Sequence, residues 1–166
     1  MPLGATQFGY SFDDIGNRIY ADMGMPQMRY NYTSNDLNQY TQMTVPSIIP
    51  VTGKAATDTK VTVTKSSDSS VHATTRDGKY FKASIPVSDA SGKVTENLTI
   101  NAVRFDATQD KDIVATTTRT GTAEQTPQTF TYDDDGNMLT NGDWTYTWNG
   151  ENRMVAATNS TDGIKY

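Results

Sequence analysis

Few side chains among these 166 residues could carry chemistry, and each has a structural competitor. His72 is the only histidine and there is no cysteine, so any Ser-His-Asp arrangement must use His72, and thiol nucleophiles and Cys-ligated metals are ruled out. In Ser70-Val-His-Ala-Thr74 the apolar Val71 should face inward, which turns His72 toward solvent as an ordinary surface residue. The carboxylate pairs Asp13/Asp14 and Asp133/Asp134 could act on a glycosidic bond, which needs two acids about 5–9.5 Å apart. Both pairs sit inside the same recurring turn, so a turn role explains both and a catalytic role explains neither. Asp133-Asp-Asp-Gly-Asn137 also invites a calcium-loop reading. Counted from Asp133, however, Gly comes fourth instead of sixth, and Trp144 stands where the twelfth-position Glu belongs. No catalytic, cofactor-binding or metal-binding residue is assigned, and the chain is read as non-enzymatic. Stacking chemistry remains: Tyr30, Tyr32, Trp144, Tyr146 and Trp148 could lie flat on sugar rings or pack against neighbouring strands.

The elements that position these rings come from an internal repeat. Tyr10-Ser-Phe-Asp-Asp-Ile-Gly-Asn17 returns as Phe130-Thr-Tyr-Asp-Asp-Asp-Gly-Asn137, and Tyr30 to Tyr40 matches Trp144 to Met154, with aromatics at the first and third places and Asn at the sixth and ninth. Alternating aromatic and polar residues predict a strand with one face covered. The Asp/Gly/Asn cluster predicts a reversal in which Gly takes positive φ and Asp or Asn bonds its own backbone. Each copy is therefore expected to form hairpins, leading into Arg18-Ile19 in the first and Met138-Leu139 in the second. In Trp144-Thr-Tyr-Thr-Trp148 three rings line one face, where stacking adds about 0.5–1.5 kcal/mol per pair beyond burial. Units of this kind complete a core by stacking on neighbours, which marks a scaffold.

The pattern aromatic-x-aromatic-Asp-x-x-Gly-Asn, followed by Trp144-Thr-Tyr-Thr-Trp-Asn-Gly-Glu-Asn-Arg-Met-Val155, resembles the YD repeat of Rhs-type proteins. That family includes bacterial polymorphic-toxin shells, toxin-complex cocoons and the teneurin barrel. The resemblance covers Tyr10 to about Ala157 in two blocks. The first block departs from the pattern in its Phe12, in a longer connection through residues 19–28, and in Leu37-Asn-Gln-Tyr40 where the second has Glu151-Asn-Arg-Met154. The resemblance implies β-hairpins that spiral into a large secreted or surface-displayed shell, with neighbouring repeats of a parent chain as the first partners. Such shells often end in a self-cleaving Asp-Pro segment and a toxin. This sequence has no Asp-Pro, so neither property carries over.

Composition fits strands joined by tight turns, because Thr, Asp, Asn, Gly and Ser dominate the polar positions. Mean hydropathy is low at −0.62, yet nine Tyr, five Phe and two Trp supply enough apolar surface to fold. A net charge of −5 with scattered basic residues argues against nucleic acid as a partner. No apolar run is long enough to span a membrane, and Met1 to Gln7 lacks the charged and apolar regions of a secretory signal, so an exported parent implies that this is an excised piece. The sequons at Asn31, Asn97 and Asn159 are expected by chance in so Asn- and Thr-rich a chain.

Between the blocks, Val61-Thr-Val-Thr, Tyr80 to Val87, Leu98 to Ala102 and Ile113 to Thr116 read as short strands of a sandwich. Alternation assigns Val61, Val63, Phe81, Ala83, Ile85, Leu98, Ile100 and Ala102 to the core and turns Lys82, Ser84, Thr99 and Asn101 outward. Gly, Val and Thr at these spacings are similar to bacterial Ig-like and carboxypeptidase-regulatory-like repeats. The expected architecture is all-β: an Ig-like sandwich over residues 45–125 inserted between hairpin blocks at 8–43 and 128–158. Gln39 to Met43 and Thr129 to Tyr132 become sequential strands if the insert is ignored, so they should pair. The outer strands, Phe8 to Phe12 and Arg153 to Thr158, present open edges and favour a homodimer through the blocks. The function expected is structural, a segment of a secreted or cell-surface shell, with no cofactor. The alternative is a module that binds a glycan or protein through its aromatics.

Overall fold

The computed structural model describes residues 8–24, 28–88 and 92–166. Those residues are all-β, with no helix. In chain order the strands are β1 (Phe8–Phe12), β2 (Arg18–Met23), β3 (Arg29–Ser34), β4 (Tyr40–Thr44), β5 (Ile48–Lys54), β6 (Lys60–Lys65), β7 (Val71–Ala73), β8 (Thr75–Asp77), β9 (Tyr80–Pro86), β10 (Val94–Asp106), β11 (Lys111–Ala123), β12 (Gln128–Tyr132), β13 (Met138–Asn141), β14 (Trp144–Trp148) and β15 (Met154–Asn159). Every named pairing is antiparallel. The described residues divide into two compact units, 47–124 and 8–46 with 125–166.

The first unit is a two-layer sandwich. One sheet has the order β11-β10-β6-β7 and the other β5-β9-β8. Period-two alternation places Val61, Val63 and Leu98 of the first sheet against Ile49, Val51, Phe81, Ala83 and Ile85 of the second, with Ala123 closing the cluster and Ile100 and Ala102 packed at its margin. Ile85 and Val63 are fully buried. Arg76 ties the loops at one end, its guanidinium donating to the carbonyls of Thr59, Ala55, Ala56 and Gly78.

Two expectations are corrected in this unit. Val71 is 64% exposed and His72 half-buried, the reverse of what the local alternation predicts. The cause is register: His72 lies opposite Val63, and directly opposed residues share a face, so the imidazole follows the fully buried Val63. The strands around Leu98 and Ile113 are also not short. β10 and β11 form one hairpin of 13 residues per arm, paired without interruption from Val94↔Ala123 to Asp106↔Lys111. Thr occupies both faces of β11, which erases the alternation that would have announced its length.

The second unit is a single sheet of eight strands in the order β1-β2-β3-β4-β12-β13-β14-β15. The two repeat blocks therefore join directly, Gln128 opposite Met43 and Thr129 opposite Gln42, as expected for strands that are sequential apart from the insert. Beside that seam the Val45 N–H donates to Thr126 Oγ1.

Alternate turns share one end of the sheet and one construction. Asp13 Oδ1 accepts from the N–H groups of Ile15 and Asn17, and Asp133 Oδ1 accepts from those of Asp135 and Asn137. Asn35 accepts from Leu37 and Gln39, and Asn149 from Glu151 and Arg153. The fourth turn residue has positive φ each time: Gly16 (95°), Asn38 (61°), Gly136 (87°) and Asn152 (57°). Glycine or asparagine is the residue that tolerates this conformation. Within each block the turns are linked, Asn17 Nδ2 donating to Asn38 Oδ1 and Asn137 Nδ2 to Asn152 Oδ1. The repeat is thus a repeat of hydrogen bonds as well as of letters.

Candidate functional site: the aromatic face

All five stacking residues lie on one face of the eight-stranded sheet. Tyr10, Ala21 and Tyr30 stand in one cross-strand row, and Tyr32, Met43 and Gln128 in another. Phe130, Asn141, Trp144 and Asn159 form a third, while Tyr146 opposes Ala157 and Trp148 opposes Met154. Because side chains alternate along each strand, these rows share one face and the Thr residues between them occupy the other. On that other face Thr131 and Thr140 hydroxyls meet at 2.7 Å.

The inner rings are tied down by their polar ends. Trp148 Nε1–H donates to the Met138 carbonyl at 2.7 Å, Tyr132 OH donates to the Tyr40 carbonyl at 2.9 Å, and the Arg18 N–H donates to Tyr40 OH at 2.8 Å. Partial burial pushes the Tyr132 phenol up from its usual pKa. Tyr32 and Tyr40 stand 5.2 Å apart, tilted, and Trp144 stacks on Tyr166 at 6.1 Å. Toward the β1 edge the face opens: Phe8, Tyr10 and Phe12 are 60%, 50% and 54% exposed. The five rings that the sequence singles out for stacking, Tyr30, Tyr32, Trp144, Tyr146 and Trp148, are each half-buried.

A cation that the sequence pattern does not single out sits within this face. The Arg18 guanidinium lies 5.2 Å from the Tyr10 ring and 5.5 Å from the Tyr32 ring, and its buried Nε has no hydrogen-bond partner among the described residues. A register shift next to Phe12 turns Arg18 onto the aromatic side, and no sequence signal announces that shift. On the opposite face Arg29 covers Tyr20 at 3.9 Å and forms a two-pronged ion pair with Asp22. That contact holds the Asp22 carboxyl below its ordinary range.

In the sandwich, Ser70 Oγ and His72 Nε2 meet at 3.0 Å, a nucleophile-base distance. Asp68 does not complete a triad. Its Oδ1 accepts from the Ser70 N–H and its Oδ2 pairs with Lys65 at 2.7 Å, so it engages the serine side instead of orienting the imidazole. Asp13 and Asp133 are committed to their own turns, and hydrogen bonds from Asn17 and Asn137 hold their carboxyls below the usual range. Among the described residues no group of three or more His, Asp or Glu is placed to hold a metal ion, and no helix is long and apolar enough to cross a membrane. The arrangement offers flat aromatic contact and a row of backbone-bonded turns. Comparisons with known family models, with curated proteins and with solved structures find no match to the chain.

Proposed function

We infer that the chain is a non-enzymatic structural segment of a large secreted or cell-surface protein built like the Rhs/YD-repeat shells, with an Ig-like sandwich inserted between two repeat blocks. One observation carries this reading: two copies of the same four-strand pattern continue each other in one eight-stranded sheet, with matching turns along one end. A sheet that grows by adding equal units is a wall element, because each unit gains its stability from the neighbour it covers. Among the described residues of the sheet only Ala21 is a buried apolar residue, so its ring face suits the inner layer of something larger. The test is extension. A chain carrying a second copy of residues 128–158 after Tyr166 should add strands and raise the unfolding temperature of the sheet. Loss of folding, or an unchanged transition, would overturn the reading.

The alternative is a module that binds a glycan or protein through exposed aromatics. Arg18 favours it, since a guanidinium across two tyrosine rings, with no carboxylate partner among the described residues, suits a carboxylate-bearing sugar. A glycan array separates the two. Binding of acidic sugars that is lost in Tyr32→Ala and Arg18→Met supports the module, and a blank array supports the wall.

A further inference from the structure

The two outer faces of the sandwich differ in a way that its core does not require. On the sheet β5-β9-β8 the outward positions include Lys82, opposite Thr52 and Thr75, and Lys54 and Asp77, both opposite Tyr80. Charges of this kind keep an exposed face solvated and discourage association. The outward face of β11-β10-β6-β7 is built otherwise. Val61, Val63 and Leu98 point into the core, so the residues alternating with them point out. One cross-strand row is Thr118, Thr99, Thr64 and Val71, and the next is Thr116, Asn101, Thr62 and Ala73. On the other side of the threonine row Thr120 opposes Asn97, and Thr122 opposes Thr95. One residue in five of the chain is charged, yet these rows hold no charge. Charge appears at the borders, with Lys60 opposite Val103 and Asp112 opposite Phe105 at one end and the Lys93–Glu124 ion pair at the other.

The polar groups of this face are ordered. Thr116 Oγ1 donates to Asn101 Oδ1 at 2.8 Å and Thr120 Oγ1 to Asn97 Oδ1 at 3.1 Å, so two amide–hydroxyl pairs flank Thr99 and Thr118 symmetrically. The Nδ2 groups of Asn97 and Asn101 have no partner among the described residues and remain as donors. β10 and β11 pair without a bulge over the whole stretch, which spaces the groups evenly, about 6.7 Å apart along a strand and about 4.5–5.5 Å across. Asn97, Thr116, Thr118 and Thr120 are exposed. Past Val103 on the same face stands Phe105, 60% exposed, an apolar ring at the end of the polar grid.

We propose that this face binds a neutral polysaccharide, laid along β10 and β11 with one sugar ring on Phe105. Hydroxyl and amide groups both donate and accept, as sugar hydroxyls do, whereas a uronic acid, a nucleic acid or a basic peptide finds no countercharge within these rows. Even spacing suits a polymer of equal units. Side chains already fixed by Thr–Asn bonds lose little freedom on binding. A protein partner needs apolar or aromatic anchors at the centre of its patch, and here Phe105 and Val71 stand at the margins. The role goes beyond the wall reading, since the face belongs to the inserted sandwich. It also differs from the Arg18 alternative, since its ligand carries no charge.

The test is co-sedimentation of the full chain with microcrystalline cellulose, chitin and insoluble starch, with alginate beads as the charged control. At least one of the three neutral polymers should retain the chain, and alginate should not. Asn101→Ala and Phe105→Ala should each weaken retention about tenfold. Thr118→Lys, which sets a charge at the centre of the face, should abolish it, and Thr118→Ser should keep it. Lys82→Thr, on the opposite outer face, should leave it unchanged. Equal urea midpoints for variant and parent separate lost binding from lost folding, and if Thr118→Lys lowers the midpoint, the exposed Phe105→Ala decides. Retention on none of the neutral polymers overturns the proposal, as does a preference for alginate. Retention indifferent to Thr118→Lys and Phe105→Ala, or lost in Arg18→Met while kept in Thr118→Lys, overturns it as well. None of these outcomes depends on whether an appended repeat extends the eight-stranded sheet.

Discussion

Gly53 lies opposite Phe81 across β5 and β9, and the Phe81 ring folds over it into the sandwich core. A Cβ at Gly53 would meet the ring at Cζ, at Cε1 (2.6 Å) and at Cε2 (3.3 Å). Gly53→Ala therefore sets two opposed terms against each other. Removing glycine from a strand interior contributes about 0.5–1 kcal/mol of stability through the unfolded chain. Displacing a ring that is only 8% exposed costs about 1–3 kcal/mol as overpacking. The clash involves the side chain's stiff end, so overpacking wins and Gly53→Ala should destabilise the sandwich by about 1–2 kcal/mol. The assay is urea unfolding read from the methyl resonances of Ile49, Val51 and Ile85, and an m value of about 1.5 kcal/mol/M converts the loss to a midpoint lower by about 1 M. In a Phe81→Val background the ring is gone, and Gly53→Ala should become neutral or stabilising. The same sign in both backgrounds would refute the reasoning, because it would show that the ring over Gly53 does not decide the outcome.

Met43→Cys with Gln128→Cys should form one intramolecular disulfide in this otherwise cysteine-free chain, since opposed antiparallel residues have Cα atoms about 4.5–5.5 Å apart; a non-reducing gel without a shift would place β4 and β12 apart. Asn38 holds a left-handed conformation with φ of 61°, so Asn38→Val should cost about 1–2 kcal/mol by thermal unfolding, and Asn38→Gly should retain most of that stability. The carboxyls of Asp13 and Asp133 are lowered by Asn17 and Asn137, and that of Asp68 by Lys65, so the stability they contribute is complete above the ordinary value of 3.8. It is lost as the pH falls through the lower native values, so urea midpoints should be level from about pH 7 to pH 5 and fall below about pH 4. A midpoint that rises on acidification would contradict that assignment.

The turns were the most legible part of the sequence, because an Asx oxygen at the first place and a residue tolerant of positive φ at the fourth specify them almost alone. Asn35 to Gln39 obeys the same chemistry as Asp13 to Asn17 with Asn in both special places, which is why its letters also match Asn149 to Arg153 at those places. The alternating core of the sandwich could be read for the same reason, since Val61, Val63, Phe81, Ala83 and Ile85 each have Lys, Thr or Ser neighbours of the opposite sense. Non-local register could not be read. His72 faces inward because it opposes Val63, and nothing within Ser70 to Thr74 encodes that partner. The Arg18 stack depends on a one-residue shift, and the Tyr166 contact on a turn from Asn159 to Ile164 that closes back on β15. The candidate rings were visible as a pattern, whereas their assembly into one face across eight strands required the pairing of β4 with β12.

The claim that this chain is part of the wall of a much larger exported protein is tested most directly where the protein is made. An antibody raised against the folded chain, applied to intact, unpermeabilised cells and to their medium, should label the surface or the medium. On a denaturing gel it should reveal a polypeptide far larger than the 18.2 kDa of this sequence. A band confined to about the mass of the chain itself, found only after the cells are opened, would contradict the account.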